Sequence, residues 1–139
     1  MTRLSKNFTS EEFECPCCGE LIVSPALISK LQELRDIVGK PIRITSGYRC
    51  IQYNKSVDGY SNSPHTEGVA ADIKVKGMTP VTLAVLADRI KYIRIGIYKS
   101  HTHIDIKCPN PSKYWLVKNG KYIYSKGEKD LHKFLKKNL

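Results

Sequence analysis

The sequence predicts a small, single α+β domain. Helix-period and strand-period segments alternate along 139 residues, capping residues mark the helix starts, and 41% of the residues are hydrophobic, the fraction of a folded chain. A chain of this length fills one modest core and excludes a second full domain. No run approaches the ~20 apolar residues of a membrane span. Met1 to Phe13 is polar and lacks the apolar stretch of a secretory signal, so synthesis in the cytoplasm without a signal peptide is expected.

The elements follow in order. Thr9-Ser10-Glu11-Glu12 has the form of a capping box and starts a short helix. Ser24 caps a longer one, Pro25 suits its first position, and Leu27, Leu31, Leu34 and Val38 form its apolar stripe before Gly39 and Pro41 end it. Ile42 to Thr45 reads as a strand leading into the turn Ser46-Gly47. Residues 50–57 form a short helix, and Asp58 to Pro64 is a loop. Val69 to Val75 is a strand. Thr79-Pro80 opens a helix to about Ile90, with Leu83, Leu86 and Ile90 on one face. Ile93 to Lys107 alternates as one or two strands. Two further strands, Tyr114–Val117 and Tyr122–Tyr124, flank the hairpin signal Asn119-Gly120. From Glu128 the chain ends in a basic helix with Leu131, Phe134 and Leu135 as its stripe.

Charge narrows the partners. There are 23 Lys and Arg against 13 Asp and Glu, a net charge of +10, which suits nucleic acid, a membrane surface or a polyanionic cell wall. Half of that excess lies in residues 116–139, with seven Lys and two acids. Aromatic content is an ordinary 9%, and no recognition helix or RNA-binding motif is visible, which argues against a nucleic-acid binder.

The five cysteines are Cys15, Cys17, Cys18, Cys50 and Cys108. An odd number in a chain read as lacking an export signal argues against a disulfide scaffold. Cys15 and Cys18 form a CxxC with Cys17 inside it, half of a zinc knuckle. A closed site usually draws on two such pairs, and no second pair exists, so these are read as free thiols.

Three of the four histidines lie beside acids in two compact clusters, Ser63 to Asp72 and His101 to Asp105. Along a strand, His101, His103 and Asp105 share one face, and Ile93, Ile95 and Ile97 are expected to precede them on it. Neutral imidazoles and a carboxylate suit Zn²⁺ and leave its fourth position open for water. Trp115 is expected in the core, and His132, among lysines, on the surface.

The pattern Ser46-Gly47-Tyr48-Arg49, Asn54, Ser63-x-His65-x-x-Gly68-x-Ala70-x-Asp72-Ile73, Gly96-x-Tyr98 and His103-x-Asp105 resembles the zinc D-alanyl-D-alanine carboxypeptidase-like peptidases. Many relatives of that pattern are cell-wall peptidases, including phage endolysins. The likeness spans roughly residues 6–115. It implies the hedgehog/lysostaphin-type zinc fold, an antiparallel sheet with helices packed on one side. Residues 1–115 would then be the zinc peptidase domain and 116–139 a basic hairpin-helix extension of the same domain.

The resemblance also implies roles. His65, Asp72 and His103 match the ligands of one catalytic Zn²⁺. Arg49 matches an arginine that contacts the substrate's carbonyl or carboxylate. Ser63 falls where a serine lines the site, and Gln52 falls near a substrate-contacting glutamine of some relatives. His101 matches the first histidine of the HxH motif, assigned to polarising the reacting centre. Several relatives carry a catalytic Glu or Asp at the position of Ser100, which cannot act as a carboxylate base. Asp105 is the candidate catalytic carboxylate in its place, the alternative role being to orient a zinc histidine. Glu67 is a third, poorer candidate.

The expected function is zinc-dependent hydrolysis of an amide bond in peptidoglycan peptides, by a carboxypeptidase or an endopeptidase of phage-endolysin type. Such a protein would be a monomer, reach the wall after holin-mediated release and be held on anionic wall polymer by its basic tail. The other reading is a catalytically inactive relative that binds walls or serves in a phage particle, motivated by Ser100.

Overall fold

The computed structural model describes residues 1–107 and 112–139; Cys108 lies outside them. Thr9 starts the first turn as its sequence implies. Its backbone N–H donates to the Glu12 carboxylate at 2.7 Å, and the turn Ser10–Phe13 is a 3₁₀ helix. A short ladder of β1 (Arg3–Ser5) and β2 (Phe8–Thr9) precedes it, which the polar N-terminal sequence did not signal. Phe8 and Phe13 meet edge-to-face at 6.0 Å beneath it. Helix α1 (Pro25–Val38) is capped by Ser24, whose Oγ accepts from the Ala26 N–H, and it ends on Gly39 at φ +71°. Leu27, Ile28, Leu31 and Leu34 bury its inner face.

The main sheet has six strands in the order β3 (Arg43–Ser46), β4 (Ala70–Lys74), β6 (Thr102–Asp105), β5 (Arg94–Ile97), β7 (Tyr114–Lys118) and β8 (Lys121–Tyr124). All neighbours are antiparallel except β5 and β7. The expected antiparallel sheet therefore contains one parallel pair. It arises because the chain leaves β6 on one side of β5 and re-enters as β7 on the other. Asn119 and Gly120, at φ 52° and 75°, make the tight turn between β7 and β8.

Register sorts every side chain to a face, because residues directly opposite each other project the same way. Ile95 pairs with Ile104 and Tyr114, Ile97 with Thr102 and Leu116, and Ala71 with Ile104. These residues meet the helices in the core. The opposite face carries Asp72 against His103, His103 against Gly96, Arg94 against Asp105, and Gly96 against Trp115.

Two expectations are corrected here. Ile95 and Ile97 do not share the face of His103, and Ile93 is buried in the same core as they are. A hairpin separates the two strands, and its register pairs odd positions with even ones. Trp115 is buried, but it lies on the polar face and outside the core.

Helix α2 (Ile51–Ser56) and helix α3 (Pro80–Ala87) follow their predicted starts. α3 stops at Ala87, short of Ile90, and its buried residues are Leu83, Ala84 and Ala87. Leu86 is only partly covered, while Ile90 reaches the core from the turn beyond. Helix α4 (Leu131–Asn138) buries Leu131, Phe134 and Leu135, with Phe134 stacked on Tyr114 at 6.0 Å. His132 is exposed, as expected.

Asp88 ties the C-terminal segment to α3. Its carboxylate accepts from the Tyr114 hydroxyl at 2.7 Å and from the Leu131 N–H at 3.0 Å. Asp88→Ala strands both donors, apart from a long 3.4 Å contact of the hydroxyl with Lys129 O, and is expected to lower stability by ~1–3 kcal/mol. Asp88→Asn, which keeps an acceptor oxygen, loses less. Denaturant midpoints at unchanged slope measure both, and equal losses would refute the clasp.

Candidate active site

The two histidine clusters meet because β4 and β6 pair with Asp72 opposite His103. His65 arrives from another direction. It sits in a 3₁₀ turn, Pro64–Glu67, whose first N–H groups are capped by the Ser63 hydroxyl. Gly68 ends that turn at φ +73°, and a Cβ there would collide with the Ile22 backbone. Glycine is thus required where the chain swings from His65 into β4.

His65 Nε2 lies 3.2 Å and His103 Nδ1 3.0 Å from the same Asp72 oxygen. A tetrahedral ion with bonds of 2.0–2.1 Å sets its ligand atoms ~3.3 Å apart, so the three donors already stand near the corners of one coordination sphere. The remaining ring nitrogens fix the tautomers. His65 Nδ1–H donates to Gly47 O at 2.8 Å, and His103 Nε2–H donates to Asp105 Oδ2 at 2.7 Å. With an ion bound, the imidazole nitrogen beside Asp72 in each ring would present its lone pair to the metal, the arrangement of a metal-binding histidine. Without one, that nitrogen of His103 carries a proton to Asp72 while His103 is charged. The donor set fits a borderline divalent ion such as zinc.

Electrostatics follow from burial. The Asp72 carboxyl stays far below the usual carboxylate range although burial alone would raise it, because His103 and His65 hydrogen-bond to it. Burial lowers the pKa of His65 and of His101. His103 behaves oppositely. Burial disfavours its charge, but Asp105 and Asp72 outweigh this and lift it to about 8.

Around this centre lies a cavity of about 700 Å³. Arg49, 14% exposed, points into it with its guanidinium braced three ways: to Ser46 Oγ at 2.9 Å, Asn54 Oδ1 at 3.3 Å and Asp72 Oδ2 at 3.1 Å. Buried Asn54 is itself held by the Tyr60 carbonyl at 2.6 Å. His101 lines the cavity with Nε2 3.6 Å from Asp72 Oδ2, its ring stacked on Tyr98 at 4.5 Å and its Nδ1 3.0 Å from Ser100 Oγ. Ser63 lines the wall as well as capping the turn.

Three sequence candidates lie elsewhere. Gln52 is exposed on α2 and does not line the cavity. Glu67 is exposed and pairs with Lys107 at 3.2 Å. Asp105, 0% exposed, stands behind His103. Its two oxygens are taken by Arg94 Nε and Nη2 at 2.9 and 3.1 Å, by the Lys107 N–H and by His103.

The sequence reading passed over the far wall. Trp115 packs 5.0 Å from the His103 ring, receives the Arg94 guanidinium on its face at 4.9 Å, and donates its Nε1–H to the Tyr98 hydroxyl at 3.1 Å. Tyr122 and Tyr124 continue this wall from β8. A Cβ on Gly96 would overlap the Trp115 indole, so that glycine exists to seat it. The available signal was Arg94 and Gly96, the two non-apolar positions of Ile93-Arg94-Ile95-Gly96-Ile97, on the face opposite the isoleucines.

Comparison with known proteins gives relatives of this chain. Over 102 residues the chain is 28% identical to the peptidoglycan L,D-endopeptidase MepK of Escherichia coli K12, covering 67% of this chain and 54% of that protein. It is 36% identical over 81 residues to the zinc D-Ala-D-Ala carboxypeptidase of Streptomyces albus G, covering 54% of this chain and 32% of that protein. The chain thus spans about half the length of MepK and a third of the carboxypeptidase. Residues 6–107 match the family described as Peptidase M15, and the chain belongs to that family.

Proposed function

We propose that this protein is a zinc peptidase that hydrolyses an amide bond in the peptide part of peptidoglycan. The observation that carries the proposal is the Asp72–His103 pair with His65 closing the set, each imidazole held in the tautomer that binds a metal. The names of the two relatives supply the substrate class. Release of a terminal D-Ala and cleavage inside a stem or cross-link are both open to such a site.

His65, Asp72 and His103 would hold the zinc, which when bound supplies a Lewis acid for the scissile carbonyl and a water of pKa lowered toward ~7. Arg49 presents a fixed positive charge to the carbonyl oxygen as negative charge grows there, with no reorganisation needed during reaction. His101 handles the proton. Its lowered pKa keeps it neutral near neutral pH. With Nδ1–H donated to Ser100 Oγ, Nε2 is free to accept a proton from the attacking water and return it to the departing amine. Ser100 then orients the base in place of being one. Asp105 has no access to substrate and acts by positioning His103.

Purified sacculi incubated with zinc-loaded protein should release new amine termini, and fragment masses will separate carboxypeptidase from endopeptidase cleavage. Absence of release across several wall types would reject the reading. His101→Ala should lower kcat ~10²–10⁴-fold with zinc content unchanged. Asp105→Asn should weaken zinc binding ~10–100-fold, and activity should recover as zinc is raised. Loss that zinc cannot restore would return Asp105 to the role of base.

Protons compete with the ion at His103. Its pKa of about 8 in the metal-free protein lies above the ordinary 6.5, so its pairing with Asp72 and Asp105 stabilises the chelated protein fully below pH 6.5 and fades through pH 8. The thermal midpoint of chelated protein should therefore fall between pH 6.5 and 8. The rise in midpoint on adding zinc should grow over the same window, because binding displaces that proton. His65, whose pKa is lowered, titrates below it.

The exposed lysines of the C-terminal segment, Lys126, Lys129, Lys133, Lys136 and Lys137, support retention on anionic wall polymer. Truncation is a poor test because it removes Leu131, Phe134 and Leu135 from the core. Lys129, Lys133 and Lys136 changed together to Glu should reduce binding to sacculi at low salt and leave hydrolysis of a short soluble peptide unchanged. Unaltered retention would exclude the tail as an anchor.

A further inference from the structure

Among the described residues, the thiols Cys15, Cys17 and Cys50, which the peptidase site does not use, gather in one place with Cys18 beside them in the chain. Cys15-Pro16-Cys17-Cys18-Gly19 is a tight turn in which the Cys15 N–H donates to Glu20 O at 2.9 Å and the Gly19 N–H donates to Cys15 O at 2.8 Å. Gly19 adopts φ +73° to complete it. The Cys50 N–H donates to the Cys15 sulfur at 3.4 Å. The Cys50 sulfur accepts from the Tyr53 N–H at 3.4 Å and lies 3.9 Å from the Cys17 sulfur. The sulfurs of Cys15, Cys17 and Cys50 all stand within 4.8 Å of one another. Cys18 follows Cys17 in the same turn, and its sulfur lies outside that group of three.

Three converging thiols, two of which each receive a backbone N–H, with a fourth thiol beside them in the same turn, offer the donor set of a tetrahedral thiolate site. Zn–S bonds of ~2.3 Å set sulfurs ~3.8 Å apart, which is the Cys17–Cys50 separation. The backbone donors do for sulfur what carboxylates do for metal-bound imidazoles: they fix direction and offset negative charge. Such a set is softer than His65, Asp72 and His103, and zinc accepts both kinds. We propose that Cys15, Cys17, Cys18 and Cys50 bind a structural zinc ion of their own, distinct from the ion of the peptidase site. It would join the N-terminal turn to the segment that carries Arg49. The two strands of chain already touch there: the Tyr48 N–H donates to Phe13 O at 2.9 Å, and a Cβ on Gly47 would come within 2.7 Å of Phe13 Cα.

The test uses the full chain, purified reduced. Wild type should carry two zinc ions per chain, and both Cys17→Ser/Cys50→Ser and His65→Ala/His103→Ala should carry one. Cobalt substitution separates the sites without any activity measurement, because only thiolate ligands give intense sulfur-to-cobalt charge transfer. That band should appear in wild type and in the histidine double variant, and vanish in the cysteine double variant. Should the cysteine variant fail to fold, the wild-type spectrum decides alone. A single zinc per chain with no thiolate band, or a Cys17–Cys50 disulfide in protein purified without oxidant, would overturn the proposal.

Discussion

Asp72 is the residue on which the site depends. A carboxylate taken out of water costs several kcal/mol unless opposite charge and hydrogen bonds replace its hydration. Here His65, His103 and Arg49 all reach it, and His101 lies just beyond hydrogen-bond range. Arg49, His65 and the His101–His103 segment come from three separate stretches, so with β4 four pieces of chain meet at this carboxylate. In the metal-free state a proton on His103 supplies part of the compensation. A divalent ion does so more completely, because one charge meets all three donors at once.

The sheet makes this affordable by separating its two faces. On one side Ile73, Ile95, Ile97 and Ile104 form core with the helices. On the other, buried polar groups follow one another in a chain: Arg94 holds Asp105, Asp105 holds His103, and Arg94 also lies flat on Trp115. Among the described residues no buried side-chain polar atom lacks a partner. A half-satisfied network of this size would be worse than apolar packing; a complete one holds the imidazoles to a single geometry. The C-terminal hairpin takes part in this wall through Trp115, Tyr122 and Tyr124, so that segment shapes the cavity as well as carrying charge.

Much of this was legible in the sequence where a residue's job is local. Ser24, Pro25 and Gly39 mark α1 because capping is decided within a few residues. Asn119-Gly120 marks its turn for the same reason. The resemblance, carried by the short motifs Ser63 to Asp72 and His103-x-Asp105, named His65, Asp72 and His103, the three donors that the fold brings together; strand spacing alone pointed to His101, His103 and Asp105. What escaped depended on pairing between distant strands. The face of Ile95 was misplaced because the β5–β6 register, invisible in the sequence, reverses parity across the hairpin. Trp115 looked like core until β7 was seen to run beside β5. Cys50 looked isolated because its partners lie at the other end of a fold that only tertiary contacts bring together.

Ser100 is the strongest argument for a silent relative, and its geometry weakens that argument. A missing carboxylate ends hydrolysis only if no other group in the cavity can move the proton. On the proposed reading Asp105 does not take its place, because Arg94 and His103 hold both its oxygens. His101 is different: it lines the cavity, burial keeps it neutral, and Tyr98 and Ser100 fix its ring. The serine hydroxyl suits that task because it meets Nδ1 without adding a negative charge that would raise the imidazole's pKa and hold it protonated. On the proposed mechanism a carboxylate at position 100 would itself be the base, and a serine there leaves that task to the histidine beside it.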